Sequence, residues 1–394
     1  MQKDHSDTKS QQNSFNHSPH NTRPPIIWLN VAVFSLTFLI AIVGLPVYLA
    51  FYDLDWQTWL IFILATGFCG MSITAGYHRL WSHRAYETQS WIRIIYAIGG
   101  AFAIQNSALH WSSDHRIHHR YVDDNDKDPY SAKMGFWYSH IGWMLREYQA
   151  HRYTDYSNVK DLQRDPVVMW QHRNYLLLVL LTNFGFPLLF GLINGNVLGS
   201  IILVGFVRLV ISHHVTFFIN SLAHMWGSQP YNAENTAKDN PLVALLTYGE
   251  GYHNFHHAFQ YDYRNAIKWW QFDPTKWFIR CLAFLGLAKN LKRIPEAKIA
   301  KAIAAQQLAK TTKKLTQLSL PEKEELIERL QIEYESLILK MNDYYKIKKD
   351  WLESTRTQLM EKAELSQLNQ RYKEFKLNLL QQQRVWKNLV HQYA

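Results

Sequence analysis

The sequence predicts an all-α, multi-pass membrane protein with four transmembrane helices and a C-terminal stretch of long helix. Three observations predict it. Uncharged runs long enough to cross a bilayer come in two pairs, each pair joined by a tight polar turn. Histidines gather in short words where these runs end. Beyond Gly286 the chain has no further glycine and beyond Pro321 no further proline, so its last part can run as uninterrupted helix.

The elements follow in order. Residues 1–25 are polar, flanked by prolines and without the apolar core of a signal peptide, so a disordered N-terminal tail is expected there. Ile26 to Tyr52 and Trp56 to Tyr77 carry no charge, and only the word DLD separates them, which makes a helical hairpin. Ile94 to Leu109 is uncharged but short, which suits a re-entrant or interfacial helix. The uncharged run from Asn174 to Val207 is too long for one ordinary span. Gly191 and the word NGN at 194–196 break it, giving a second hairpin that continues past Arg208 toward Asn220.

Four spans put both termini and every histidine word on one side. The segments bearing those words hold Arg79, Arg84, Arg116, Arg120, Lys127 and Arg146, which makes that side cytoplasmic. The net charge of +10 agrees, and suits anionic lipid or a phosphate-bearing substrate better than nucleic acid. The two cysteines, Cys69 and Cys281, form no C-x-x-C, so neither a disulfide framework nor a thiolate metal site is indicated. Residues 297–314 are basic and Ala-rich, fit to lie on a membrane surface. Leu326, Leu330, Leu337, Met341, Tyr344 and Trp351 step by three, four or seven, as in a coiled coil or helical hairpin, which allows self-association.

The histidine words carry the chemistry. HRIHH holds His115, His118 and His119, and HNFHH holds His253, His256 and His257; on a helix such rings share one face. One H-x-x-H-H is expected by chance with a probability of about 0.04, two with roughly one in a thousand. HRLWSH adds His78 and His83, five apart. A regular helix turns about 500° over five residues, so these rings point roughly 140° apart, and they share a metal only if the helix ends between them. NSLAH places Asn220 and His224 on one face. Nine imidazoles exceed the needs of one ion and point to two metals of roughly four to five nitrogens each. Imidazole alone suits zinc, copper, nickel or iron.

The order HRLWSH, DHRIHH, NSLAH, GEGYHNFHH, with hairpins between, resembles the membrane fatty acyl desaturases, and within them the delta-9, stearoyl-CoA type branch. DKDPYSAKMGFWYSHIGWML and GEGYHNFHHAFQYDYRNAIKWWQFDPTKWFI carry the likeness to that branch, which covers roughly residues 28–295. The resemblance implies four spans under a cytosolic helical cap holding two iron ions, with O2 as co-substrate. Its ligands fall on His78, His83, His115, His118, His119, His224, His253, His256 and His257, with Asn220 reaching a metal through water. His110, His140, His151, His172, His213 and His214 match no ligand position. The family's bent substrate tunnel maps its kink onto Gln105, Trp111 and Thr216, a position near the acyl carbonyl onto Asn106, and its closed end onto Thr66 and Gly70. Small residues there would leave room for a chain of about 18 carbons.

The implied reaction introduces a cis delta-9 double bond into a saturated fatty acyl-CoA, in a bacterial inner membrane or the endoplasmic reticulum. Ser113 and Glu147 stand in or beside places where animal members carry cations, so an acyl-lipid or acyl-carrier-protein substrate is the alternative. No H-P-G-G word marks a fused cytochrome b5 module, so electrons are expected from a separate donor: a cytochrome b5-like protein, a ferredoxin or a rubredoxin, with its reductase. A membrane hydroxylase would share most ligands. A metal transporter would string histidines through the spans instead, and a zinc protease would need H-E-x-x-H, which is absent. By this reading residues 26–295 form the membrane domain and 296–394 a helical extension.

Overall fold

The computed structural model describes residues 23–318, 321–357 and 362–393. Most of the expected N-terminal tail, residues 1–22, lies outside them. Four apolar helices are long enough to span a membrane: α1 (Trp28–Phe51), α2 (Trp56–Ser82), α6 (Tyr175–Asn194) and α7 (Val197–Met225). Only 11% of the most apolar stretch of α1 and 22% of that of α6 is buried in the protein, against 39% for α2 and 56% for α7. Thus α1 and α6 form the lipid-facing side, and α2 and α7 the inner pair.

Turn chemistry sets the hairpins. Asp55 caps α2, its carboxylate accepting from the Thr58 amide at 2.7 Å. Gly195 ends α6 with a φ of 75°, a left-handed conformation that glycine adopts without strain. Asn196 then caps α7 by accepting from the Gly199 amide at 3.0 Å, and its Oδ1 also accepts from the Tyr48 hydroxyl at 2.8 Å. The NGN word therefore joins the two hairpins as well as breaking the run.

Between and after the hairpins the chain builds a cap. Helix α3 (Ser90–Phe102) buries Ile92, Tyr96 and Ala97 and leaves Trp91, Ile94 and Ile95 exposed, as an interfacial helix does. It does not continue to Leu109 as expected. Ile104 and Asn106 take positive φ values of 47° and 71°, and a new helix, α4 (Ala108–Tyr121), starts from Ser107, whose hydroxyl accepts from the His110 amide. The cap adds α5 (Pro166–Arg173), α8 (Pro241–Leu246), α9 (His253–Ala258) and α10 (Pro274–Phe284). A two-residue antiparallel pair, Glu87–Thr88 with Ala288–Lys289, fastens its edge.

The extension is three helices: α11 (Glu296–Gln317), α12 (Lys323–Thr357) and α13 (Lys362–Gln392). Helices α12 and α13 form a hairpin and α11 packs along it. The heptad positions do form a seam: Leu330, Leu337 and Met341 are buried with Leu379, Trp386 and Leu389, and Trp351 stacks on Tyr372 at 4.9 Å. That seam is occupied within one chain. The expectation of a membrane-surface helix over 297–314 is corrected, because α11 buries Ile299, Ala304, Thr311 and Leu315, with Ala304 and Leu315 inside the same core.

Candidate metal centre and substrate cavity

The local fold resolves the five-residue spacing of HRLWSH. From Ser72 to Ser82 helix α2 winds as a π-helix, and the His83 amide donates to the His78 carbonyl at 3.1 Å, an i to i+5 bond. This wider turn stacks residues five apart, which the regular-helix geometry did not allow. His78 and His83 consequently sit in the same cluster, their rings 4.8 Å apart. Arg116 secures the end of that helix by donating to the Trp81 and Ser82 carbonyls at 2.8 and 3.0 Å. It also donates to the Asp161 oxygens at 2.7 and 3.0 Å and to the Asn158 carbonyl at 3.1 Å.

Nine imidazoles gather as two groups. His78, His83, His115, His119 and His256 form one; His118, His224, His253 and His257 form the other. Helix α2 serves only the first group and α7 only the second, while α4 and α9 serve both. Within each H-x-x-H-H word, the first and last residues go to one group and the middle one to the other. On α4, His118 lies about 60° to one side of His115 and His119 about 40° to the other, which is enough to divide them.

The ring nitrogens that converge are the Nε2 atoms. In the five-histidine group His83 and His115 approach to 2.8 Å, while His256 lies 3.0 Å from both His78 and His119. In the four-histidine group His253 lies 3.1 Å from both His224 and His257, and His118 lies 3.3 Å from His257. With imidazole–metal bonds of roughly 2.1 Å, neighbouring nitrogens at right angles fall about 3.0 Å apart and tetrahedral neighbours about 3.4 Å. The donor set therefore fits an ion in each group, and the five-nitrogen group fits one that takes more than four ligands.

Behind three of the rings stand acceptors that hold Nδ1–H and so leave Nε2 free to bind. His78 donates to Glu250 at 3.0 Å and His118 to Asp128 at 2.9 Å. His224 donates to Thr236 at 2.9 Å, whose hydroxyl donates onward to Asp123 at 2.6 Å. Glu250 is itself fixed by Arg79 at 2.9 Å and Asn265 at 2.6 Å. Burial alone would raise its pKa, but His78 and Arg79 beside it bring it down to about 2. Burial, reinforced by neighbouring rings, pushes His83, His115, His119, His256 and His257 well below the ordinary imidazole range, and His253 down to about 3. Neutral rings with free lone pairs are what a cation requires.

Sequence reasoning missed Glu250, Asp128 and Asp123. The first two lie inside words that signalled the resemblance, GEGYHNFHH and DKDPY, and a carboxylate in such a word was the available signal. Five histidines matching no ligand position have other partners: His110 faces Tyr156 and Asp114, His140 faces Ser221 and His214, His172 faces Ser107, and His213 faces the Ala103 carbonyl. His151 is exposed.

A narrow cavity leads away from the histidines. It is lined by Trp111, Asn220, Thr74 and Thr216, and an adjoining pocket that shares Ile73, Thr74, Thr216 and Ile219 with it is lined by Gln105, Gly70 and Tyr248. Trp111 stacks on His115 at 4.8 Å, and Gln105 donates to Thr216 at 2.8 Å across the middle. Asn106 lines a separate, more open groove with His110, His172 and Arg173. Thr66 turns its hydroxyl to the Phe62 carbonyl of its own helix at 2.7 Å. Gly70 does line the cavity, but the ring of Tyr248 takes up the room its missing side chain leaves.

Fold and site together define a four-span membrane protein with two enclosed imidazole groups, each able to hold a metal ion. The family model for fatty acid desaturases matches residues 54–283, and the chain belongs to that family. It is 47% identical to the "Probable acyl-CoA desaturase" of Schizosaccharomyces pombe, over 68% of this chain and 56% of the relative. Identity to "Acyl-CoA desaturase 1" of Saccharomyces cerevisiae is 46%, over 66% of this chain and 50% of the relative. The chain thus spans about half the length of these two relatives. To "Stearoyl-CoA desaturase 5" of Bos taurus it is 39% identical, over 69% of this chain and 81% of the relative.

Proposed function

We propose that the protein is an O2-dependent acyl-CoA desaturase that places a cis double bond at the delta-9 position, using two iron ions held by the nine histidines, with Asn220 reaching one through water. The supporting observation is a narrow cavity that opens directly onto two groups of buried, converging imidazoles. Iron held there would supply, with O2, two electrons and two protons, the oxidising power to take two hydrogens from neighbouring methylenes, both oxygen atoms leaving as water, which side-chain acid–base chemistry cannot do. Five converging nitrogens favour iron over tetrahedral zinc.

The chain's own residues position and exclude. Trp111, stacked on His115, is a rigid wall of the cavity where it meets the histidines. The Gln105–Thr216 bond makes a fixed bend beyond it, so the acyl carbon nearest the histidines is set by distance from the carboxyl end. Glu250 and Asp128 lock ring orientation. His119 and His257 are the only two of the nine that are partly exposed, which makes their side the approach for electrons from a separate donor. Residues 26–295 make this unit, with the histidines cytoplasmic by the positive-inside rule, and 296–394 form the extension.

An acyl-lipid substrate is the second reading. Ser113 is fully buried and donates to Asn158 at 2.8 Å, so it offers nothing to a CoA phosphate, and Glu147 is exposed. The test measures the metal content of the purified protein together with double-bond position in products from acyl-CoA and from phospholipid. Iron with a delta-9 alkene from acyl-CoA is expected. Product from phospholipid alone would establish the second reading, and an alcohol in place of an alkene would sink both.

A further inference from the structure

We propose that Tyr248 closes the far end of the cavity and sets the longest acyl chain the protein accepts; this rests on the desaturase reading above. Four observations carry it. Beyond the Gln105–Thr216 bend the cavity ends between Gly70 of α2 and Tyr248, which lies in the turn before α9. A Cβ placed on Gly70 would lie 2.2 Å from Cε2 and 2.4 Å from Cζ of the Tyr248 ring, so the ring occupies the space that glycine vacates. The Tyr248 hydroxyl donates to the Thr66 carbonyl at 3.3 Å, which spans the ring across the end of α2's apolar wall.

Backbone conformation supplies the fourth. Tyr248 has a φ of 54°, in the left-handed region that a bulky side chain rarely adopts. Such strain persists only where the surroundings impose it, and it concentrates at functional sites. Here the Tyr248 carbonyl accepts from Thr275 at 3.1 Å. Gly249 follows at a φ of 96°, where a Cβ would meet Asp273 at 2.8 Å. The turn thus aims the ring at α2 and cannot relax by a simple peptide shift. Gly70 and Thr66 alone would leave an open end on the spanning helix; a residue from the cap fills it. Length is therefore controlled from the segment that also places Glu250 behind His78.

The test supplies palmitoyl-, stearoyl- and arachidoyl-CoA to membranes of a host lacking its own desaturase and expressing the full chain or its variants. Tyr248→Ala should raise the arachidoyl-to-stearoyl product ratio roughly tenfold or more, with the double bond at an unchanged distance from the carboxyl group. A merely structural role would lower all three together. An unchanged ratio with wild-type metal content overturns the proposal, and so does a ratio change accompanied by a moved double bond. Should Tyr248→Ala yield no folded protein, Gly70→Ala takes its place. Its methyl group must drive the ring into the cavity and depress stearoyl relative to palmitoyl turnover, and adding Tyr248→Leu should restore that ratio. Failure of the second change to restore it overturns the proposal. Wild-type membranes forming no unsaturated chain at all would sink the desaturase reading itself, whereas wild-type product with unchanged variant ratios sinks only the role of Tyr248.

Discussion

His118 and His256 belong to different groups although each is the odd member of its own word. Replacing either with alanine should therefore remove one ion and leave the other site's donors intact. Metal analysis of purified His118→Ala and His256→Ala is expected to show about one ion per chain and no desaturation; full loading of either variant would strike that residue from the ligand set. Glu250→Gln keeps the shape but removes the charge behind His78, and should weaken metal binding about 10- to 100-fold in a chelator competition. The buried rings also carry a pH signature. An unfolded histidine takes a proton near pH 6.5, whereas His83, His115, His119, His256 and His257 resist until far lower, and His253 until about 3. Between those values the unfolded chain binds more protons, so stability rises with pH across the window. The metal-stripped protein should lose thermal stability progressively as pH falls below about 6.5, and a flat profile of unfolding midpoints would contradict the burial described here.

At the scale of elements, the spans and hairpin turns were legible because charge-free length and turn chemistry are local properties. Asn196 shows how far that legibility goes. Its capping role follows from NGN, but its bond to Tyr48 joins residues distant in sequence and appears only once the hairpins pack. Asn196→Ala should cost about 1 kcal/mol as a lost cap and about 1 kcal/mol more as a lost hydrogen bond, read as a lower unfolding midpoint in detergent. Two features escaped sequence reasoning for physical reasons. The π-winding of α2 reflects tertiary demand on His78 and His83 rather than any propensity of SITAGYHRLWS. The break at Ile104 and Asn106 depends on positive φ at residues whose identity does not announce it. The division of the rings into two groups turns on small angular offsets along α4 and α9, which a shared helical face does not resolve.

For the molecule as a whole, the extension packs on itself, while the strip before it belongs to the cap. The Lys292 amide donates to the Ala85 carbonyl at 2.8 Å and the Ile294 amide to Asp262 at 2.9 Å. Ending the chain after Pro295 should therefore leave an active core with unchanged metal content; ending it before Lys292 should not. Complete inactivity of a well-folded, metal-loaded 1–295 chain would make the extension part of the machinery. A different consequence follows from α4 and α9 each serving both groups. The first ion to arrive would order two helices that also carry three of the four or three of the five rings awaiting the second, according to which group remains empty. The second ion then meets donors whose freedom is already lost, and binds more tightly for that reason alone. Cooperative loading is the expected outcome: at limiting metal the wild-type population should divide into empty and doubly filled chains, with singly filled ones scarce in native mass spectra.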